Sequence, residues 1–270
     1  GDHRDLHSFP TLRSSDLKYI KNKELLKQNH VYSEDMEHDA CGVGIIASTE
    51  GKKSRKVVEY GIEALKAVWH RGAVDADGKT GDGAGIHVEI PKDFFVEKIE
   101  VTGHTHDNSE IGVGMIFLPR NDYEAQESCK TIVESQLTKN GFSIYGWRQV
   151  PINPNVLGEK ALQTMPEIIQ VLFKSYDPEL TNKDLERKIY ETRRKIENEA
   201  FKKSLNHFYI CSLSSKSIIY KGMFLAEAIS DRPIRHSLCL HKTVRFGGKF
   251  LTKRTRPQVR YALRNSCCKS

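Results

Sequence analysis

A chain of 270 residues with 38 % hydrophobic content can bury a sizeable core as one large domain or two small ones. The formal charge of +7 is local: residues 231–270 hold 11 Lys/Arg against the single acid Asp231, leaving 31 basic and 34 acidic groups in residues 1–230, which excludes a domain-wide basic face for nucleic acid. With no run near the roughly 18 apolar residues of a membrane span, no compact apolar signal at the start, and cysteines (Cys41, Cys129, Cys211, Cys239, Cys267, Cys268) in no paired C-x-x-C pattern, the chain is expected in the reducing cytoplasm, away from membranes.

In chain order, "GDHRDLHSFPTLRSSDL" (1–17) has neither a helical nor a strand period and, over "HSFPTLRSSDL", resembles the translation of a common sequencing adapter; it is set apart as an adapter-like or disordered segment. Residues 18–40 are polar and end at "EHDA", ahead of a strand-like run over 42–47. Val58, Ile62, Leu65 and Trp69 recur at helical spacing, and Ile86, Val88 and Ile90 alternate as in a strand. "IGVGMIFLP" predicts a strand stopped by Pro119, 123–139 a helix with Ala125, Cys129, Ile132 and Leu137 inward, and "FSIYGWRQVP" another strand. Two helices follow by pattern, over 158–174 and 182–204; "HFYICSLSS" and "KSIIYKG" then read as an antiparallel hairpin with Cys211 buried in its first strand. Segregated strands and helices of this kind predict an α+β fold.

The densest chemical stretch is "HRGAVDADGKTGDGAG", 70–85. Its spacing fails as a phosphate loop, Lys79 and the missing closing Glu fail it as a calcium loop, and "GDGAG" is too short for a dinucleotide fingerprint. "GHTHD", with His104, His106 and Asp107, reads as a solvated loop, and no metal site is expected. Cys41 in "HDACGVGIIA" is open to two readings, a core thiol or a nucleophile. A thiol needs a base to become thiolate, and cutting the Ala40–Cys41 bond would supply one, the α-amine of the same residue, with a reference pKa of about 7.7–8.0.

"EHDACGVGIIAS", "ALKAVWHRGAVDADGKTGDGAGI", "IPKDFF", "GWRQVPINPNVLGEKALQTMPEIIQVL" and "FYICSLSSKSIIYKGM" closely resemble the class II glutamine amidotransferase domain that opens the large subunit of glutamate synthases, from about Tyr32 to about Leu225. The resemblance implies an N-terminal-nucleophile hydrolase fold, a four-layer αββα sandwich with two antiparallel sheets. It also implies a propeptide over 18–40 and Cys41 as the nucleophile that splits glutamine into glutamate and ammonia through a thioester. Arg71 and Gly72 match the family's Arg-Gly element, where a guanidinium would hold the cysteine terminus and substrate through forked hydrogen bonds. Ammonia would pass to a synthase domain of the same parent chain, which makes glutamate from 2-oxoglutarate with flavin mononucleotide (FMN) and an iron-sulfur cluster, with a small electron-transfer subunit as a further partner. No cofactor is expected in this chain itself.

Residues 41–229 are then a partial amidotransferase domain, incomplete at the C-terminus; 230–270 departs from the family as a basic tail, without its arginine-bearing substrate segment or its Asn-Gly oxyanion pair. Losing an oxyanion donor costs about 100- to 1000-fold in turnover and losing the substrate clamp costs more, so this fragment is expected to show little or no activity of its own. The alternative is a non-catalytic protein whose tail, with Phe246, Phe250 and Tyr261 among its basic residues, binds nucleic acid.

Overall fold

The computed structural model describes residues 14–29, 41–68, 74–107, 109–180, 182–230 and 243–249. The chain divides into two units, Gly1–Asp39 and Ala40–Ser270. The first contains helix α1 (Ser14–Asn29), which leaves Leu17, Ile20 and Leu25 exposed. It begins inside the stretch that showed no period. Its Lys- and Leu-rich composition favours helix by propensity while forming no apolar stripe, so a search for periodicity passes over it.

The second unit runs β1 (Cys41–Ala47), α2 (Arg55–Ala67), β2 (Ala84–Glu89), α3 (Lys92–Val101), β3 (Ile111–Leu118), α4 (Tyr123–Lys139), β4 (Phe142–Gln149), α5 (Glu159–Gln163), β5 (Glu167–Ser175), α6 (Asn182–Lys202), β6 (Tyr209–Ser214), β7 (Ser217–Gly222) and β8 (Thr243–Lys249). The strands form two antiparallel sheets, ordered β1-β8-β2-β7 and β4-β5-β3-β6. Both the α+β class and the paired antiparallel sheets are as the sequence predicts.

Strand β3 is buried along its whole length because it packs on both faces. Ile111, Val113, Met115 and Phe117 join the core shared with the first sheet, α2 and α3, while Ile116 and Leu118 join the layer formed by α4 and α6. Its glycines make room. A Cβ on Gly114 would come within 2.6 Å of Val171 and 2.7 Å of Leu213, and one on Gly112 would fall on the Phe173 ring. Polar caps set the helix starts, with Ser54 accepting from the Lys56 amide at 3.2 Å and Asp122 from the Ala125 amide at 2.9 Å.

Two expectations need correction. The helix expected over 158–174 is only one short turn, α5, before Pro166; "EIIQVLFKS" is strand β5, central in its sheet and buried on both faces. A continuous apolar run of that length fits a two-sided buried strand as well as a helix, and its β-branched residues favour the strand. The expected hairpin is not one: β6 pairs with β3 in one sheet and β7 with β2 in the other. The link Ser215–Lys216 lacks the Gly or Asn that a two-residue hairpin turn requires. Glu186 of α6 fixes the crossover instead, accepting from Ser214 Oγ at 2.8 Å, the Ser215 amide at 2.6 Å and Ser215 Oγ at 2.7 Å. Part of the basic tail, 243–249, forms β8 between β1 and β2. Two strands one width apart leave facing backbone groups unpaired, and an intervening strand satisfies both rows.

Candidate active site

Strand β1 opens on Cys41, which lies opposite Lys249 in the β1–β8 register. The next row runs across the whole sheet, Gly42 opposite Gly248, Gly248 opposite Ala84 and Ala84 opposite Gly222. The starts of β1 and β2 and the ends of β7 and β8 therefore meet at one end of this sheet. Cys41 stands at that end, where an N-terminal nucleophile would be required. Arg71 and Gly72 lie outside the described residues, in the interval between α2 and the glycine-rich segment.

Within that segment, residues 74–81 are a closed hairpin held by its own backbone and acidic side chains. Val74 bridges Gly81, the Asp75 amide donates to Thr80 O at 2.9 Å, and the Gly78 amide to Asp75 O at 2.9 Å. Gly78, with φ 68, takes the left-handed turn position. The Asp77 carboxylate accepts from the Lys79 amide at 2.9 Å, the Thr80 amide at 2.7 Å and Thr80 Oγ1 at 2.5 Å. These bonds, the Thr80 hydroxyl first, lower its pKa to about 2. Asp75 is also held below the usual carboxylate range, chiefly by Lys160 Nζ at 2.5 Å. The carboxylates that invited a calcium reading are thus spent on the chain itself. Beyond the hairpin the chain passes close to the end of β7: a Cβ on Gly81 would lie 2.9 Å from Phe224 O, and one on Gly85 2.8 Å from Lys221 Cβ.

The β4–β5 connection closes the same end of the molecule. It covers a cavity of about 120 Å³ between the sheets, lined by Met115 and Phe117 of β3, Ile168 of β5, Ile219 and Tyr220 of β7, and Met165 of the connection. Nearby, Arg148 donates to Gln170 Oε1 at 2.7 Å and lies over the Phe94 ring at 5.2 Å. Desolvation lowers its pKa from the ordinary arginine value.

The remaining singled-out residues belong to the scaffold. His104 accepts or donates at 3.1 Å to Thr102 Oγ1, His106 stacks edge-on to Tyr145, and Asp107 pairs with Lys174. Cys129 and Cys211 are buried, and burial pushes both thiols up to about 11, so neither is an activated nucleophile. Among the described residues no three His, Cys, Asp or Glu side chains come together as a metal site, and no helix is long and apolar enough to cross a membrane.

Two antiparallel sheets packed with helices, the first strand opening on a cysteine at a shared strand end, define an N-terminal-nucleophile-hydrolase-like α+β domain. Residues 41–232 match the family described as glutamine amidotransferases class-II, beginning at Cys41 itself, and the chain belongs to that family. It is 53 % identical over 209 residues to the glutamate synthase [NADPH] large chain of Azospirillum brasilense, an overlap of 77 % of this chain and 14 % of that protein. It is 42 % identical over 195 residues to the ferredoxin-dependent glutamate synthase 1, chloroplastic/mitochondrial, of Arabidopsis thaliana, covering 72 % of this chain and 12 % of that one. With the glutamate synthase [NADPH] large chain of Bacillus subtilis it shares 34 % over 206 residues, 76 % and 13 % of the two. The chain therefore spans about one seventh of the length of such relatives.

Proposed function

We propose that this chain is the glutaminase part of a glutamate synthase, with Cys41 as its nucleophile after loss of the preceding segment. The observation that carries the reading is the coincidence of three boundaries at one residue: the family match, strand β1 and the cysteine all begin at 41. In the mature chain the Cys41 α-amine takes the thiol proton, and the thiolate attacks the side-chain amide carbon of glutamine. The C–N bond of the tetrahedral adduct breaks, and the protonated amine returns its proton to the departing nitrogen, which leaves as ammonia. Water, deprotonated by the same amine, then splits the thioester to give glutamate and restore the thiol. Arg71, beside Gly72 in the family's Arg-Gly element, would orient the substrate and the chain terminus.

The named relatives support placing this reaction upstream of glutamate synthesis from 2-oxoglutarate in the rest of a parent chain. FMN and an iron-sulfur cluster would serve that synthase part, and a small subunit would deliver electrons. A parent of bacterial type would work in the cytoplasm. The competing nucleic-acid reading draws no support from β8, which takes the middle of the basic tail into a sheet. The test is ammonia release from glutamine by the chain with the family's missing arginine and Asn-Gly segments restored, and by its Cys41→Ala variant. The variant is expected to lose activity to background; equal release by both would refute the assignment.

A further inference from the structure

The 74–81 hairpin leads into β2 of the first sheet, whereas residues 150–166 connect β4 to β5 of the second. At the Cys41 end of the molecule the two are fastened together by a small polar clamp. Asp77 Oδ1 and Oδ2 hold the hairpin closed through Lys79 and Thr80, and the Glu159 amide of the connection lies beside the same carboxylate. Lys160 Nζ reaches Asp75 Oδ2 at 2.5 Å. Between them sits Gly158, buried, where a Cβ would lie 2.6 Å from the Thr80 amide nitrogen and fall on the Asp77 carboxylate and the Thr80 hydroxyl. No other residue type fits without parting the hairpin from the connection.

The position of this clamp gives it a consequence beyond local stability. Beneath the connection lies the cavity of about 120 Å³, so the two sheets gain few dispersion contacts from each other there. Polar fastening takes the place of packing. Three residues beyond Gly81, Ala84 enters the backbone row that runs through Gly248 to Gly42, the neighbour of Cys41.

We infer that Asp77, with Gly158 as its seat, is a positioning residue that fixes the nucleophile end of the first sheet against the β4–β5 connection, so that losing the clamp costs glutamine turnover more than it costs folding. This rests on the amidotransferase reading. A misplacement of about 1 Å at a reacting centre can cost about 100-fold in rate, whereas an exposed hairpin contributes little to global stability.

Asp77→Asn removes the charge, and Gly158→Ala displaces the hairpin while keeping the carboxylate, so the two variants break one clamp by different means. Three quantities are measured in wild type and both variants: kcat and KM for glutamine per folded molecule, amide exchange over 74–81 and 158–163, and the alkylation rate of Cys41 with iodoacetamide. The expected result is faster exchange in both segments, a kcat/KM lowered at least tenfold with the protein still folded at assay temperature, and a Cys41 labelling rate altered at least threefold. Faster exchange with kcat/KM and Cys41 labelling as in wild type overturns the positioning role, as does exchange that neither variant changes. A wild-type chain that releases no ammonia even with the family's arginine and Asn-Gly segments restored would sink the amidotransferase reading instead; the labelling rate then decides, and equal rates in all three proteins overturn the inference.

Discussion

The Asp77 carboxylate gathers the hydrogen bonds of two backbone amides and one hydroxyl within its own hairpin, and it keeps its charge down to a pH of about 2. A folded-state pKa below the unfolded value stabilises the folded form above the ordinary carboxylate range and ceases to do so as pH falls through the folded value. Asp75 is shifted in the same direction by Lys160. The melting temperature of wild type should therefore fall more steeply than that of Asp77→Asn between about pH 4 and pH 2; parallel curves would mean that the carboxylate is not held as described. The buried thiols behave oppositely. With Cys129 and Cys211 pushed up to about 11, mainly by desolvation, each favours the folded form below the ordinary thiol pKa, and the effect is lost as pH rises through about 11. Iodoacetamide at about pH 8 should leave both unmodified in the native protein and label them in denaturant, as peptide mass mapping would record. The burial of Cys129 was legible from its place on an apolar helical stripe. The partner of Asp77 was not, because Gly158 stands far along the chain and glycine carries no signal of what its missing side chain makes room for.

At the scale of elements, legibility followed periodicity. Helix α4 and strand β2 announce themselves by spacing, and β3 by Pro119 as a stop. β5 does not, since a strand buried on both faces loses the alternation that marks a strand. Its centrality has a measurable cost: Leu172 is fully buried between the sheets, and Leu172→Ala should destabilise by about 2–5 kcal/mol in urea unfolding. A loss below about 0.5 kcal/mol would put the residue at the surface. The crossover from β6 to β7 was also invisible, because the residue that enforces it, Glu186, belongs to a helix that precedes both strands. Glu186→Ala leaves the Ser215 amide and two hydroxyls short of an acceptor and should cost about 1–3 kcal/mol by the same measurement. Full stability in that variant would show that the link holds itself.

For the whole molecule, the class of fold and the family could be read from the sequence because the motifs lie in order along nearly the full second unit. The sheet order could not, since nothing local in β1 and β2 says that a strand from the far end of the chain separates them. The catalytic account is a statement about where the working chain begins. The most direct test is intact mass spectrometry of the purified protein with the family's missing C-terminal segments restored, paired with ammonia release from glutamine and with Cys41→Ala as reference. The account predicts a mature chain whose first residue is Cys41, active on glutamine, beside a variant that is silent. A chain that retains Ala40 in peptide linkage and still hydrolyses glutamine at the same rate would contradict it.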